Sequence, residues 1–333
     1  MAGLTAARPN CPENKMGVMP VMKLIINMSL PMMFSMFIMA LYNIVDSIFV
    51  AKISEDALTA VSLAFPVQNL MISFAVGTGV GVNALLSKRL GQRNQSDVNK
   101  TAMNAVFLAL CNYAVFFIIG LTLIRPYLAS QGVSDTIVAY GEQYLTIVLF
   151  MSFALFFGIT FDRLLQSTGR TLYTMFSQLS GAVFNIIFDP LLIFGIGPFP
   201  KMGIRGAALA TILGQILGFC VSVFCNLTKN SEIQFKLKNI FPEPRIIACS
   251  FIGAAIAITL SSVFQAFGSA VYSMIATFIR QLVVLLPVTY LLSLSGTIDT
   301  IWWAYLVAEV VSVVTCLFFM HRIYKKKIRV LPA

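Results

Sequence analysis

Charge is what this sequence has least of: Asp, Glu, Lys and Arg make up 11% of its 333 residues, against 58% apolar, and mean hydropathy is +0.87. Soluble chains carry about 25% charged residues, so a soluble enzyme and a disordered scaffold are both excluded. The two-residue alternation of a membrane β-barrel is missing, because the apolar runs continue for roughly 20 residues. Histidine occurs once, as His321 among tail cations, which leaves histidine chemistry and histidine-based metal binding without support. Five of the six cysteines (Cys111, Cys220, Cys225, Cys249, Cys316) lie in apolar stretches, and none forms a CxxC or Cys/His set. Neither a disulfide frame nor a zinc site follows, and the cysteines read as small apolar filler. A phosphate-binding loop is lacking as well. Gly77, Gly79 and Gly81 fall inside an apolar run with no strand or Walker Lys beside them, so close helix packing or a bend explains them. Without a Ser/His pair, a paired-Asp protease motif or a metal-ligand set in the apolar runs, the chain is expected not to be an enzyme and to need no cofactor.

What the sequence does have is apolar runs of membrane-spanning length. Six occur at 24–50, 58–86, 101–124, 137–160, 172–196 and 206–228, each bounded by Lys, Arg, Gly or Pro. Three more follow near 246–266, 271–293 and 300–320. The expected fold is an all-α polytopic membrane protein. Its parts are a cytoplasmic N-terminal segment at 1–23, a first membrane lobe at 24–228, a cytoplasmic linker at 229–245, a second membrane lobe at 246–320 and a basic tail at 321–333. The polar, sparsely charged start followed by a long apolar run reads as a retained first span rather than a cleaved leader.

The net charge of +10, from 23 Lys and Arg against 13 Asp and Glu, resides in loops and tail. It reports orientation in the plasma membrane and not a nucleic-acid partner. Lys88, Arg89, Arg93 and Lys100 after span two, Arg163 and Arg170 after span four, and Lys229, Lys236, Lys238 and Arg245 after span six mark cytoplasmic sides. Asp162 and Arg163 are expected at a membrane boundary and solvated. Nine spans would place the tail cations Arg322, Lys325, Lys326, Lys327 and Arg329 outside, against the same rule, so 246–266, the least apolar of the last three runs, is expected not to span. An internal repeat adds to the conflict. Gln166, Gly169, Tyr173 and Met175 recur as Gln265, Gly268, Tyr272 and Met274, a shift of 99 residues. Such repeats build transporter lobes; six spans should separate the two copies, and three do.

An Asp at the centre of a spanning helix costs about 2.5–3.5 kcal/mol even on lenient insertion scales, which makes each intramembrane acid a functional candidate. Asp46 and Asp189 are the principal two. Asn43 lies three residues before Asp46 and Asn185 four before Asp189, spacings that put amide and acid on one helix face. Such oxygens in low dielectric would hold a proton or coordinate a sodium ion. Alternatively, Asp189 before Pro190 serves backbone groups at a kink, and the amides hold helices together. Pro66 and Gln68 are expected to interrupt span two. Arg280 and Glu309 in the last runs would line a cavity or pair across helices. Gln166 and Gln265, beside the repeated Gly turns, read as structural.

The segments LYNIVDSIFVAKISEDALTAVSLAFPVQNL, GTGVGVNALLSKRLGQ, LLQSTGRTLYTM and NIIFDPLLIFGIGPFPKMGIRGAALAT together resemble the multidrug and toxic compound extrusion (MATE) family, most of all its bacterial multidrug export subgroup. The resemblance covers residues 20–245 and about 250–328. It implies two six-helix lobes around a central cavity, from which this chain departs between Arg245 and about Ala248: set against that pattern it lacks spans seven to nine, leaving a MATE-like six-helix first lobe and an incomplete three-helix second lobe. It also implies an ion-coupling site at Asp46, Asn185, Asp189 and a span-six Thr, best matched by Thr211. The implied activity is H+- or Na+-coupled antiport of amphipathic, often cationic drugs by a lipid-embedded monomer, with a symmetric dimer as the alternative. Two rivals stand beside it: a deletion product that transports nothing, and a lipid-linked oligosaccharide flippase of the same superfamily. The flippase would need a cavity rich in Arg and Lys, of which spans one to six have almost none.

Overall fold

The computed structural model describes residues 19–235 and scattered positions between 279 and 318. Arg280, Glu309, the inter-run repeat copy at 265–274 and the expected span at 246–266 lie outside the described residues. Within residues 19–235 the regular structure is helical: α1 (Val21–Ala51), α2 (Glu55–Gly91), α3 (Gln95–Thr122), the short α4 (Ile124–Ala129), α5 (Asp135–Phe150), α6 (Phe153–Ser167), α7 (Thr171–Phe194) and α8 (Ile204–Lys229). Five of these are long and apolar enough to cross a membrane singly, and α5 with α6 makes a sixth, bent crossing.

Large apolar side chains cover the outside as well as the core, as a lipid solvent permits. Leu30, Met33, Met36 and Phe37 of α1 and Phe224 and Leu227 of α8 are all 60% or more exposed. Between the helices, Val50, Ala57, Ala60, Ala64, Met71, Phe116, Leu145, Phe156, Ile193 and Ala207 form one contiguous core, with Phe116 and Phe156 ring centroids 5.4 Å apart.

Contrary to the expected interruption, α2 runs through Pro66 as one 37-residue helix, about 55 Å long. Pro66 leaves the Ser62 carbonyl without its intrahelical N–H donor, and in the same turn Tyr127 of α4 donates its hydroxyl to the adjoining Leu63 carbonyl at 2.9 Å. Ser54 caps the start of α2, its Oγ accepting from the Ala57 N–H at 3.0 Å. Glu55 and Asp56 in the first turn and Lys88 and Arg89 in the last both complement the helix dipole.

The fourth span, expected as a single run over 137–160, is two helices meeting at 46° around Met151 and Ser152. No proline causes the break. Ser152 Oγ donates to the Leu149 carbonyl at 2.8 Å and Tyr113 of α3 donates to the Phe150 carbonyl at 3.2 Å. Polar side chains thus satisfy carbonyls that a straight helix would bond internally.

The start of the expected linker is docked rather than free. Gln95 Nε2 donates to the Glu232 carbonyl at 2.6 Å, and the Gln234 N–H donates to Asn99 Oδ1 at 2.9 Å. Ile233, 5% exposed, sits in an apolar cluster with Val82, Leu86, Val98, Ala102 and Leu164. The chain leaving α8 is thereby held against the ends of α2, α3 and α6, the side that the cationic loops mark as cytoplasmic.

Candidate functional site

The site is built on the α7–α8 pair, whose close approach the glycines dictate. A Cβ on Gly206 would lie 2.5 Å from the Leu192 carbonyl oxygen, one on Gly214 2.8 Å from that of Gly181, and one on Gly218 3.1 Å from that of Ser177. Larger residues at these positions would force the helices apart. The connection is equally tight. Gly195 ends α7 in the left-handed region at φ 73°, and the returning Met202 and Gly203 N–H groups bond the Leu192 and Ile193 carbonyls at 3.0 and 3.1 Å.

Along this seam α7 presents Ser177, Gly181, Asn185 and Asp189, each one turn from the next. Asn185 is 3% exposed and Asp189 0%. With the Asn185 amide turned so that both ends are satisfied, its Nδ2 donates to Asp189 Oδ2 at 2.9 Å and its Oδ1 accepts from the Thr211 N–H of α8 at 3.2 Å. Helix α1 completes the group. Phe49 meets Phe194 edge to face at 6.3 Å, and this packing brings the half-buried Asp46 into hydrogen-bonding reach of Asp189. The other carboxyl oxygen of Asp46, Oδ1, is buried with no hydrogen-bond partner. Two carboxyl groups this close share a proton or hold a cation between them, and the unpartnered oxygen is an open ligand position for a hard cation.

The structure therefore brings Asp46, Asn185, Asp189 and Thr211 together. It does not bring Asn43, which is exposed on α1 and accepts from Ser47 Oγ at its backbone carbonyl at 2.8 Å; the three-residue spacing to Asp46 is offset enough to turn its amide outward. Gln68 donates to the Tyr144 hydroxyl at 3.1 Å, and Tyr144 and Tyr42 both lie within electrostatic reach of the two acids. Neither tyrosine was singled out from the sequence. Tyr42, one turn before Asp46, was visible in the spacing, while Tyr144 reaches the site only because α5 packs on α2.

The expectation for Asp162 and Arg163 is corrected. Asp162 is 7% exposed, accepting from Ser222 Oγ at 2.7 Å and from Gln178 Nε2 at 3.1 Å. Arg163 lays its stem against Gly79, whose added Cβ would stand 2.8 Å from the Arg163 Cγ, and donates to Gln166 Oε1 at 2.8 Å. The charge pattern placed both at a boundary, but α6 extends through Ser167 and its last turns pack among α2, α7 and α8.

The MatE family model matches residues 31–191. The chain is 29% identical over 215 residues to the FAD transporter of Shewanella oneidensis, covering 65% of this chain and 48% of that protein. It is 27% identical over 218 residues to the probable multidrug resistance protein NorM of Thermotoga maritima, covering 65% and 46%, and 23% identical over 223 residues to the multidrug export protein MepA of Staphylococcus haemolyticus, covering 67% and 48%. The chain thus spans about half the length of the curated relatives it matches. A solved outward-facing multidrug resistance MATE transporter of the MOP superfamily superposes with a TM-score of 0.66 at 20% identity, over 91% of this chain and 96% of the other. A MOP superfamily transporter from Pyrococcus furiosus gives 0.65 at 24%, over 91% and 66%. These likenesses define the fold: a multi-pass helical membrane lobe. Over its first lobe the chain resembles MATE transporters.

Proposed function

We propose that this chain carries the ion-coupling lobe of a secondary active multidrug efflux system, in which inward movement of H+ or Na+ drives export of amphipathic, often cationic drugs. The observation that supports it is the convergence of Asp46, Asn185, Asp189 and Thr211 on one buried group. A site that binds the ion differently in its two open states biases which face is exposed, and the same difference in binding free energy links the ion to the drug. Gln68 and Tyr144 form the wall beside the acids. The coupling ion is cargo, and no cofactor is invoked.

Alternating access needs two lobes rocking about a shared cavity. The match covers only about half of each curated relative, and on this reading the chain as a monomer transports poorly. The test is gradient-driven export by purified protein in proteoliposomes, beside a full-length relative. The expected wild-type rate is at least ten-fold below the relative's, and Asp46→Asn or Asp189→Asn removes what remains. Undiminished export in both single variants would refute the site. Export at the relative's rate would refute the half-transporter reading and favour a dimer pairing two first lobes. The relative named for FAD transport supports a second reading, a flavin dinucleotide cargo; offering FAD in place of a fluorescent cationic drug in the same vesicles separates the two.

A further inference from the structure

We propose that Asp162 is a second proton-binding carboxyl of the first lobe, set at the cytoplasmic half of the α7–α8 seam whose other end holds Asp46 and Asp189. The proposal extends the ion-coupling reading and takes the proton as the ligand. Both sites are built from the same two helices. At one end α7 supplies Asn185 and Asp189 and α8 supplies Thr211; at the other α7 supplies Ser177 and Gln178 and α8 supplies Ser222. Gln178 and Asp189 are eleven residues apart on one helix, roughly 16 Å. Gly181 packs on Gly214 between them and Gly218 on Ser177 beside Gln178, so the two ends are joined by a close glycine-mediated helix contact. A change in hydrogen bonding at one end has little slack to absorb it before it reaches the other.

A merely adhesive role does not require an acid. Asn at 162 would serve the same partners without placing an ionisable group in the membrane, where such groups are costly and mark function. The partners also suit a proton better than a metal ion. Ser222 covers one carboxyl oxygen at 2.7 Å and Gln178 the other at 3.1 Å, both as donors. When the carboxyl gains a proton, the Ser222 hydroxyl rotates from donor to acceptor with no heavy atom moving. From Ser222 a polar ladder continues towards the cytoplasmic end of α8: Asn226 Nδ2 donates to the Ser222 and Phe161 carbonyls at 3.0 and 2.9 Å. Asn230 Nδ2 donates to Asn226 Oδ1 at 3.1 Å, and Asn230 Oδ1 is buried and unpartnered.

The charged and titratable groups facing Asp162 are few. Arg163 adjoins it on α6, and Cys225, followed by Lys229, faces it from α8. Thr174, Ser177 and Gln178 face it from α7. The faces of α2 and α3 around the neighbouring Leu164 are apolar, formed by Val82, Leu86, Val98, Ala102 and Ala105.

The test is infrared difference spectroscopy of the purified full chain in lipid nanodiscs, stepped across pH, which reads carboxyl protonation without requiring transport. The wild type should show a carboxyl component that Asp162→Asn loses, Asp162→Glu restores at a shifted position, and Ser222→Ala displaces. The component should persist in the Asp46→Asn, Asp189→Asn double variant, which loses the others. Wild-type and Asp162→Asn spectra that superimpose in folded protein would overturn the proposal. If Asp162→Asn does not fold, an unmoved spectrum in Ser222→Ala would overturn it instead. A double variant identical to wild type would refute the ion-coupling reading of Asp46 and Asp189, a result distinct from any outcome at Asp162.

Discussion

Replacing Gly214 by Ala perturbs the seam directly beside the site. The added Cβ would stand 2.8 Å from the Gly181 carbonyl oxygen and 3.5 Å from the Asn185 Cβ. Carbon and oxygen settle nearer 3.3 Å, and backbone on both sides cannot swing aside as a side-chain tip does. The helices must therefore separate by about half an ångström, and overpacking of this kind costs about 1–3 kcal/mol. The same displacement acts on the 3.2 Å contact between Asn185 Oδ1 and the Thr211 N–H, stretching it past useful hydrogen-bonding length. Gly91, at the end of α2 with nothing within 4 Å of a built Cβ, is the control, and Ala there should be neutral or stabilising by up to about 1 kcal/mol. Denaturant titration in mixed micelles measures the stabilities, and binding of H+ or Na+ measures the site. Gly214→Ala should lose both stability and ion affinity while Gly91→Ala keeps them. A Gly214→Ala protein as stable and as tight-binding as wild type would refute the claim that this contact sets the site's geometry.

Removing the Tyr113 hydroxyl as Phe should cost about 0.5–1.5 kcal/mol, because the Phe150 carbonyl at the bend of span four loses its donor; a melting temperature equal to wild type would contradict it. Ile233→Asp should release the docked segment 230–235 and make it the first site of limited proteolysis, since it puts a charge into a cluster where Ile233 is 5% exposed; unchanged digestion would show that the backbone bonds to Gln95 and Asn99 suffice. A reporter active only in the cytoplasm, fused to Ala333, should be active if the five tail cations hold that end inside, each contributing about 1 kcal/mol at an anionic leaflet; an inactive fusion would show that 246–266 crosses the membrane.

The membrane class and the six crossings of the first lobe were legible because they rest on composition and run length, whereas Asp46 and Asp189 stood out singly as intramembrane acids and only the family resemblance joined them, since no spacing relates two separate helices. The break at Met151 was not legible, because no proline or glycine marks it; it depends on Tyr113 arriving from α3 to satisfy a carbonyl. Pro66 misled in the opposite direction, since the hydroxyl of Tyr127 that bonds in the same turn lies 61 positions further on. Asn43 was grouped with Asp46 on spacing alone, and the direction each face of α1 takes is set by packing on α7, which no local pattern contains. Asp162 and Arg163 were read as boundary charges because cation clusters locate a membrane side only coarsely. Their burial follows from Ser222, Gln178 and Gly79, contributed by three other helices.

The central claim is that the Asp46–Asp189 group binds the coupling ion and is linked to drug binding. It is tested most directly by titrating a fluorescent lipophilic cation into the purified chain in nanodiscs over a series of pH and Na+ concentrations. Dye affinity in the wild type should fall about 5–150-fold as the coupling ion saturates its site, the range that coupling free energies of 1–3 kcal/mol produce. It should become independent of that ion in Asp46→Asn and in Asp189→Asn. The same ion dependence in wild type and in both variants would contradict the account.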